Sequence, residues 1–168
     1  MTKLNSYLSL IRFYNPIGFW LLLWPGLWGL FLSDNFNIEN FTIVVLGSFL
    51  TRSLGCAIND FLDRDFDKSV ERTKNRPIAS KELSLSEAGI FIILLASVCI
   101  FLLMQTNPYT IKLVSYVAIP MIILYPLMKR FLAMPQLFLG ATFGLSLPIS
   151  YSIAESTLSL EVIFLYIG

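Results

Sequence analysis

The sequence predicts an all-α fold: a multi-spanning transmembrane helix bundle with about five complete helices and the start of a sixth. Three observations carry that expectation. Hydrophobic residues fill 56% of the 168 positions and charged residues only 14%, against roughly 25% charged in soluble domains. Mean hydropathy is +0.73, the range of an integral membrane protein. Apolar runs close to the ~20 residues that span a bilayer recur along the chain, without the alternation of a half-buried strand.

The first run, residues 16–33, is uncharged, and Trp20, Trp24 and Trp28 recur on one helix face, which predicts packing. The second, 41–58, is interrupted only by Arg52, and the third covers 88–104. Ser84 and Glu87 stand just before that third run with the spacing of a capping box. The fourth, 113–128, closes on Lys129 and Arg130, and the fifth, 131–154, is uncharged. A sixth begins near Leu160. Prolines 25, 120, 126, 135 and 148 fall inside these runs. In a membrane bundle neighbouring groups satisfy the freed carbonyls, so kinked helices are expected.

Basic residues orient the spans. With alternating helices, Lys3, Arg12, Arg64, Lys68, Arg72, Lys74, Arg76, Lys81, Lys129 and Arg130 fall on one side. Lys112 alone falls on the other, and Arg52 lies within a helix. This places the N-terminus and the loop at 59–83 in the cytoplasm, or in the matrix if the membrane is mitochondrial. The first run is long and lacks a small-residue cleavage site, so it reads as a retained helix. The chain stops within an apolar segment, which predicts a C-terminally truncated piece, 1–168, of a single transmembrane domain.

Several function classes are excluded. Histidine is absent, which removes Ser-His-Asp catalysis and imidazole-bound zinc or haem. A net charge of +1 suggests no nucleic-acid partner. Cys56 and Cys99 both lie in apolar stretches and do not form a disulfide framework.

The chemistry-bearing stretch is "GCAINDFLDRDFDKSVERTKNRPIAS", residues 55–80. At about 100° per residue, Asn59, Asp63, Asp67 and Asp60 fall within roughly 100° of one another on an extended second helix, with Arg52 on the same face. Asp65 points away. Carboxylates crowded on one face repel unless a cation joins them. Oxygen-only donors suit a hard ion such as Mg²⁺, which takes one or two carboxylates and fills its shell with water and phosphate oxygens. Arg72, Lys74 and Arg76 would then meet the remaining phosphate charge. Spacing alone leaves two readings open: a Mg²⁺–diphosphate site, or a solvated loop whose acids and bases pair. Arg52 favours the first, because charge inside a membrane helix is costly and functional by default.

"NDFLDRDFD" fits N-D-x-x-D-x-x-x-D, with "ERTKNRP" behind it. With "YNPIGFWLLLWPGLW", "YPLMKR" and "PQLFLGATFGLSLP" in the same order, the chain resembles the UbiA superfamily of intramembrane prenyltransferases. Within it the chain is similar to the branch that prenylates 4-hydroxybenzoate for ubiquinone. The resemblance implies about nine helices in the whole protein, a polyprenyl diphosphate among them, and Mg²⁺ held by two aspartate motifs. It carries Asn59, Asp63 and Asp67, with Asp60 beside them, to the metal, and Arg52 and Arg72 to the diphosphate. Lys129 and Arg130 would line the same cavity. The second aspartate motif would lie beyond Gly168, so the chain alone is expected to be inactive.

Tyr125 and Lys129 are one helical turn apart. From the residues alone they read as an interfacial aromatic and a positive-inside stop. The resemblance implies Lys129 on diphosphate and Tyr125 shielding a cationic carbon. Arg12 reads as a topology anchor, and Glu155 and Glu161 as a polar loop. Other readings make different demands. A CDP-alcohol phosphotransferase needs D-G and A-R motifs that do not precede Asp63. A cation transporter needs carboxylates near the midplane on several helices. Transfer to haem, a naphthoate or a glycerol lipid would use the same metal motif.

Overall fold

The computed structural model describes residues 2–124 and 134–168. Among these every element of regular secondary structure is a helix, without strands. The helices are α1 (Lys3–Leu10), α2 (Ile17–Phe31), α3 (Ile38–Leu62), α4 (Arg64–Asp67) and α5 (Leu85–Met104). They continue as α6 (Pro108–Leu124), α7 (Pro135–Gly144), α8 (Ser146–Glu155) and α9 (Leu160–Ile167). Ile38–Leu62, Leu85–Met104 and Gln136–Glu155 are long and apolar enough to cross a membrane; Ile17–Phe31 and Pro108–Leu124 are shorter apolar helices. Each expected run therefore meets a helix, and α9 occupies the expected start of the sixth. Residues 125–133, which include the ends of the fourth and fifth runs, lie outside the described residues.

Helix ends and breaks follow from particular residues. Before α5, the Ser84 amide donates to Glu87 Oε2 at 2.9 Å, and the Glu87 amide donates back to Ser84 Oγ at 3.2 Å. This is the expected capping box. Lys3 also reaches Glu87, tying α1 to the start of α5. Pro120 cannot donate to the carbonyl one turn back, and its ring crowds that carbonyl. The helix widens just before it into a π turn, Val114–Ala118, where the Ile119 amide reaches the Val114 carbonyl. Pro148 likewise removes a bond to Gly144, and α7 breaks from α8 at Leu145.

The described residues divide into two compact units. The first holds the chain up to Phe19 and Phe49–Phe101. Its core joins Leu10 of α1, Ala57 of α3, Ile78 and Leu83 of the loop, and Ala88 and Leu95 of α5. α1 was not legible in the sequence, because eight residues with Lys3, Asn5 and Ser6 make no apolar run. The second unit holds Trp20–Ser48 and Leu102–Gly168. There Thr110 and Ser152 share a buried hydroxyl hydrogen bond of 2.8 Å, and Asn107 donates to the Ser152 carbonyl at 2.6 Å. Glu155 accepts from the backbone amides of Asp34 and Asn35 at 2.8 and 3.0 Å, so it anchors a turn instead of sitting idle in a polar loop.

Much apolar surface remains outside. Only 11% of the most apolar stretch of α5 is buried, as suits a helix that faces lipid. The Trp20, Trp24 and Trp28 face is about half exposed, which corrects the expectation that it packs. Trp20 and Trp24 instead lie against each other at 6.5 Å between ring centroids.

Candidate metal–diphosphate site

The acidic motif lies in the first unit, at the end of α3. Helical periodicity predicts one unbroken helix through Asp67. The structure ends α3 at Leu62, and Asp63 precedes the four-residue α4. The register nevertheless survives the break. The Asp63 amide donates to the Asn59 carbonyl at 2.9 Å, and the Asp67 amide to the Asp63 carbonyl at 2.8 Å. Two successive steps of four residues place Asn59, Asp63 and Asp67 one above the next.

Two of the expected ligands are already engaged with arginines. Arg12 Nη2 donates to both oxygens of Asp60, at 2.7 and 2.9 Å. Arg76 Nη1 lies 3.1 Å from Asp60 Oδ1 and donates to Asp67 Oδ2 at 2.8 Å. Asp60 is almost wholly buried, at 1% exposure. Removing one partner of such a pair strands a buried charge, which typically costs about 3–5 kcal/mol. Thr73 donates to the Asp67 carbonyl at 3.1 Å and fixes the loop behind it.

Arg12, expected as a topology anchor, is a partner of the motif. Its backbone has φ 59°, the left-handed region that favours glycine. The Arg12 amide donates to Ser9 and the Phe13 amide to Leu8, so Arg12 sits where glycine usually closes a helix. An arginine there costs about 1 kcal/mol, and its guanidinium binds Asp60. No local pattern could have signalled this, because the two residues are 48 apart in sequence.

The remaining charges divide. Lys68 pairs with Asp65 at 2.7 Å and Lys74 with Glu71 at 2.6 Å, so part of the loop is the solvated, self-paired segment that spacing left open. The Lys68 hydrogen bond holds the exposed Asp65 carboxyl below its usual range. Arg72 is exposed. With Arg12, Asn15, Asn75 and Arg76 it lines a cleft of about 420 Å³. Arg52 lies in α3, its guanidinium against Gly18. Tyr125, Lys129 and Arg130 lie outside the described residues.

Among the described residues, no three His, Cys, Asp or Glu side chains converge to hold an ion by themselves. The oxygen donors Asn59, Asp63 and Asp67 still fit Mg²⁺, which needs only one or two carboxylates when phosphate oxygens complete its shell. The chain therefore presents a column of three oxygen-bearing side chains with guanidinium groups beside it.

The model of the UbiA prenyltransferase family matches residues 22–168. The chain belongs to the UbiA prenyltransferase family. It is 42% identical over 168 residues to a 4-hydroxybenzoate octaprenyltransferase of Polynucleobacter asymbioticus, covering 99% of the chain and 58% of that protein. A protein of the same description from Polynucleobacter necessarius is 46% identical over 166 residues, covering 97% of the chain and 57% of that protein. The chain thus spans somewhat over half the length of these relatives. A solved structure described as digeranylgeranylglyceryl phosphate synthase superposes with a TM-score of 0.80 at 25% identity, covering 99% of this chain and 58% of that one. A UbiA homologue from Archaeoglobus fulgidus bound to GPP and Mg²⁺ has a TM-score of 0.75 at 20% identity, covering 96% and 58%. That last likeness establishes the fold. UbiA membership and the apolar spans make the chain part of a membrane protein.

Proposed function

We propose that the full-length protein carrying this chain transfers a polyprenyl group from polyprenyl diphosphate to the ring of 4-hydroxybenzoate, in ubiquinone biosynthesis. The observation that carries this is the stack of Asn59, Asp63 and Asp67 across two helix-register hydrogen bonds at the end of an apolar helix. The relatives described as 4-hydroxybenzoate octaprenyltransferases support the acceptor, and the homologue bound to GPP and Mg²⁺ supports the metal and donor class.

Asn59, Asp63 and Asp67 would hold Mg²⁺, which when bound supplies positive charge to the diphosphate oxygens. Arg52, Arg72, Lys129 and Arg130 bind and orient the diphosphate, adding charge where the leaving group becomes more negative. The allylic C–O bond breaks, the carbon bonds to the ring ortho to the hydroxyl, and the ring loses a proton. Tyr125 shields the cationic carbon. The apolar spans exclude water that would otherwise quench it. The chain forms part of a single transmembrane domain in a bacterial plasma membrane or the mitochondrial inner membrane. The motif and N-terminus face the cytoplasm or matrix.

The test is Asp63→Ala in the full-length protein, reconstituted with lipid and assayed with labelled 4-hydroxybenzoate. Mg²⁺-dependent product should vanish while membrane insertion persists; wild-type turnover would overturn the metal role. The structural likeness to digeranylgeranylglyceryl phosphate synthase favours a second reading, a glycerol-lipid acceptor. Product with a glycerol lipid and none with 4-hydroxybenzoate would select it.

A further inference from the structure

The motif holds three aspartates, Asp60, Asp63 and Asp67, and they are not equivalent. Asp60 presents both oxygens to Arg12, and one of them also to Arg76. It is sealed from solvent. Asp67 gives only Oδ2 to Arg76 and leaves Oδ1 for another contact. Asn59 and Asp63 are half-buried and keep the helical register with Asp67.

We propose that Asp60 is a positioning residue, whose carboxylate locks Arg12 and Arg76 beside the motif instead of binding the metal ion. Three lines converge on this. The oxygens of Asp60 are already shared between two guanidinium groups, so an inner-sphere ion would have to displace both. Arg12 holds a left-handed backbone where glycine is usual, which makes sense if its side chain is required at Asp60. Arg76 bridges Asp60 and Asp67, so Asp60 fixes the cation that faces the cleft shared with Arg72. A carboxylate that orients two arginines sets where diphosphate charge can sit. The inference rests on the reading of Asn59, Asp63 and Asp67 as metal-side residues.

The experiment uses the full-length protein in lipid nanodiscs, with Mn²⁺ as the probe, since it shares the oxygen preference of Mg²⁺. Mn²⁺ binding is read by electron paramagnetic resonance in the presence of inorganic diphosphate. Asp60→Asn should bind Mn²⁺ within about twofold of the parent, while Asp63→Asn should weaken it about tenfold or more. In turnover, Asp60→Asn should raise KM for polyprenyl diphosphate about tenfold and change the Mn²⁺ requirement little. Equal loss of Mn²⁺ binding in Asp60→Asn and Asp63→Asn overturns the proposal. Undiminished Mn²⁺ binding in Asp63→Asn overturns the metal reading itself, and the proposal with it. If Asp60→Asn does not fold, the double variant Arg12→Gln with Asp60→Asn removes both charges and leaves an amide pair. It should retain Mn²⁺ binding, and loss of that binding in a folded double variant overturns the proposal.

Discussion

The Arg52 guanidinium lies over the bare Cα of Gly18: a methyl group at residue 18 would stand 2.2 Å from Arg52 Nε and 2.6 Å from Cζ. Gly18 is buried, and its lack of a side chain is what lets a charged group from α3 settle against the start of α2. Gly18→Ala is therefore expected to displace the guanidinium. The clashing atoms are the far end of a flexible side chain, so the variant should fold, with its melting temperature lowered by no more than about 4 °C. KM for polyprenyl diphosphate should rise about tenfold. An unchanged KM would remove Arg52 from the diphosphate site.

Gly29 is a different case. A methyl group there would stand 2.1 Å from the Leu147 carbonyl oxygen and 2.4 Å from Ser150 Oγ. Backbone cannot swing aside as a side chain does, so α2 and α8 must separate. Overpacking of this kind typically costs about 1–3 kcal/mol. Gly29→Ala should lower thermal stability in lipid or detergent well beyond the effect of Gly89→Ala, where added bulk would meet open space. Equal melting temperatures for the two variants would refute the close crossing.

Arg72 makes no ion pair among the described residues, so its removal should leave stability nearly unchanged. The expected effect of Arg72→Ala is on substrate. KM for the prenyl diphosphate should rise about tenfold, and KM for 4-hydroxybenzoate should stay within about twofold. Initial-rate kinetics with each substrate varied in turn will separate the two. A larger rise for the acceptor would reassign Arg72.

Asp65 lies off the column of Asn59, Asp63 and Asp67 and pairs with Lys68 on the surface. Asp65→Asn should keep Mg²⁺-dependent turnover and metal affinity. The Lys68 hydrogen bond lowers the carboxyl pKa, so its small, solvent-screened contribution is present above about pH 4 and fades as pH falls through the lowered value. Melting curves of parent and variant should converge on acidification. A loss of Mg²⁺ affinity in Asp65→Asn would show that the helical assignment of the motif is wrong.

These residues also show which parts of the molecule a sequence can declare. The spans were legible because each is a long apolar run, and Ser84 and Glu87 announced the cap of α5 through a spacing that has one simple geometric use. The alignment of Asn59, Asp63 and Asp67 followed from helical periodicity. The break at Asp63 did not, since short hydrogen bonds preserve the register on both sides of it. The Arg12–Asp60 pair was hidden, because it depends on α1 folding back across 48 residues and on a left-handed backbone at an arginine. The outward Trp face was misjudged because periodicity says that residues share a face, without saying what that face meets.

The widened turn at Val114–Ala118 also constrains how this chain can vary. A π turn holds one residue more than the α-helix around it, so deleting a single residue there could restore regular winding. Because the surplus residue is absorbed inside the turn, residues 119–124 would keep their facing after such a deletion. The same loss in the regular winding before it would turn them by about 100° about the helix axis. A one-residue loss is therefore absorbed at this window and felt elsewhere along the helix.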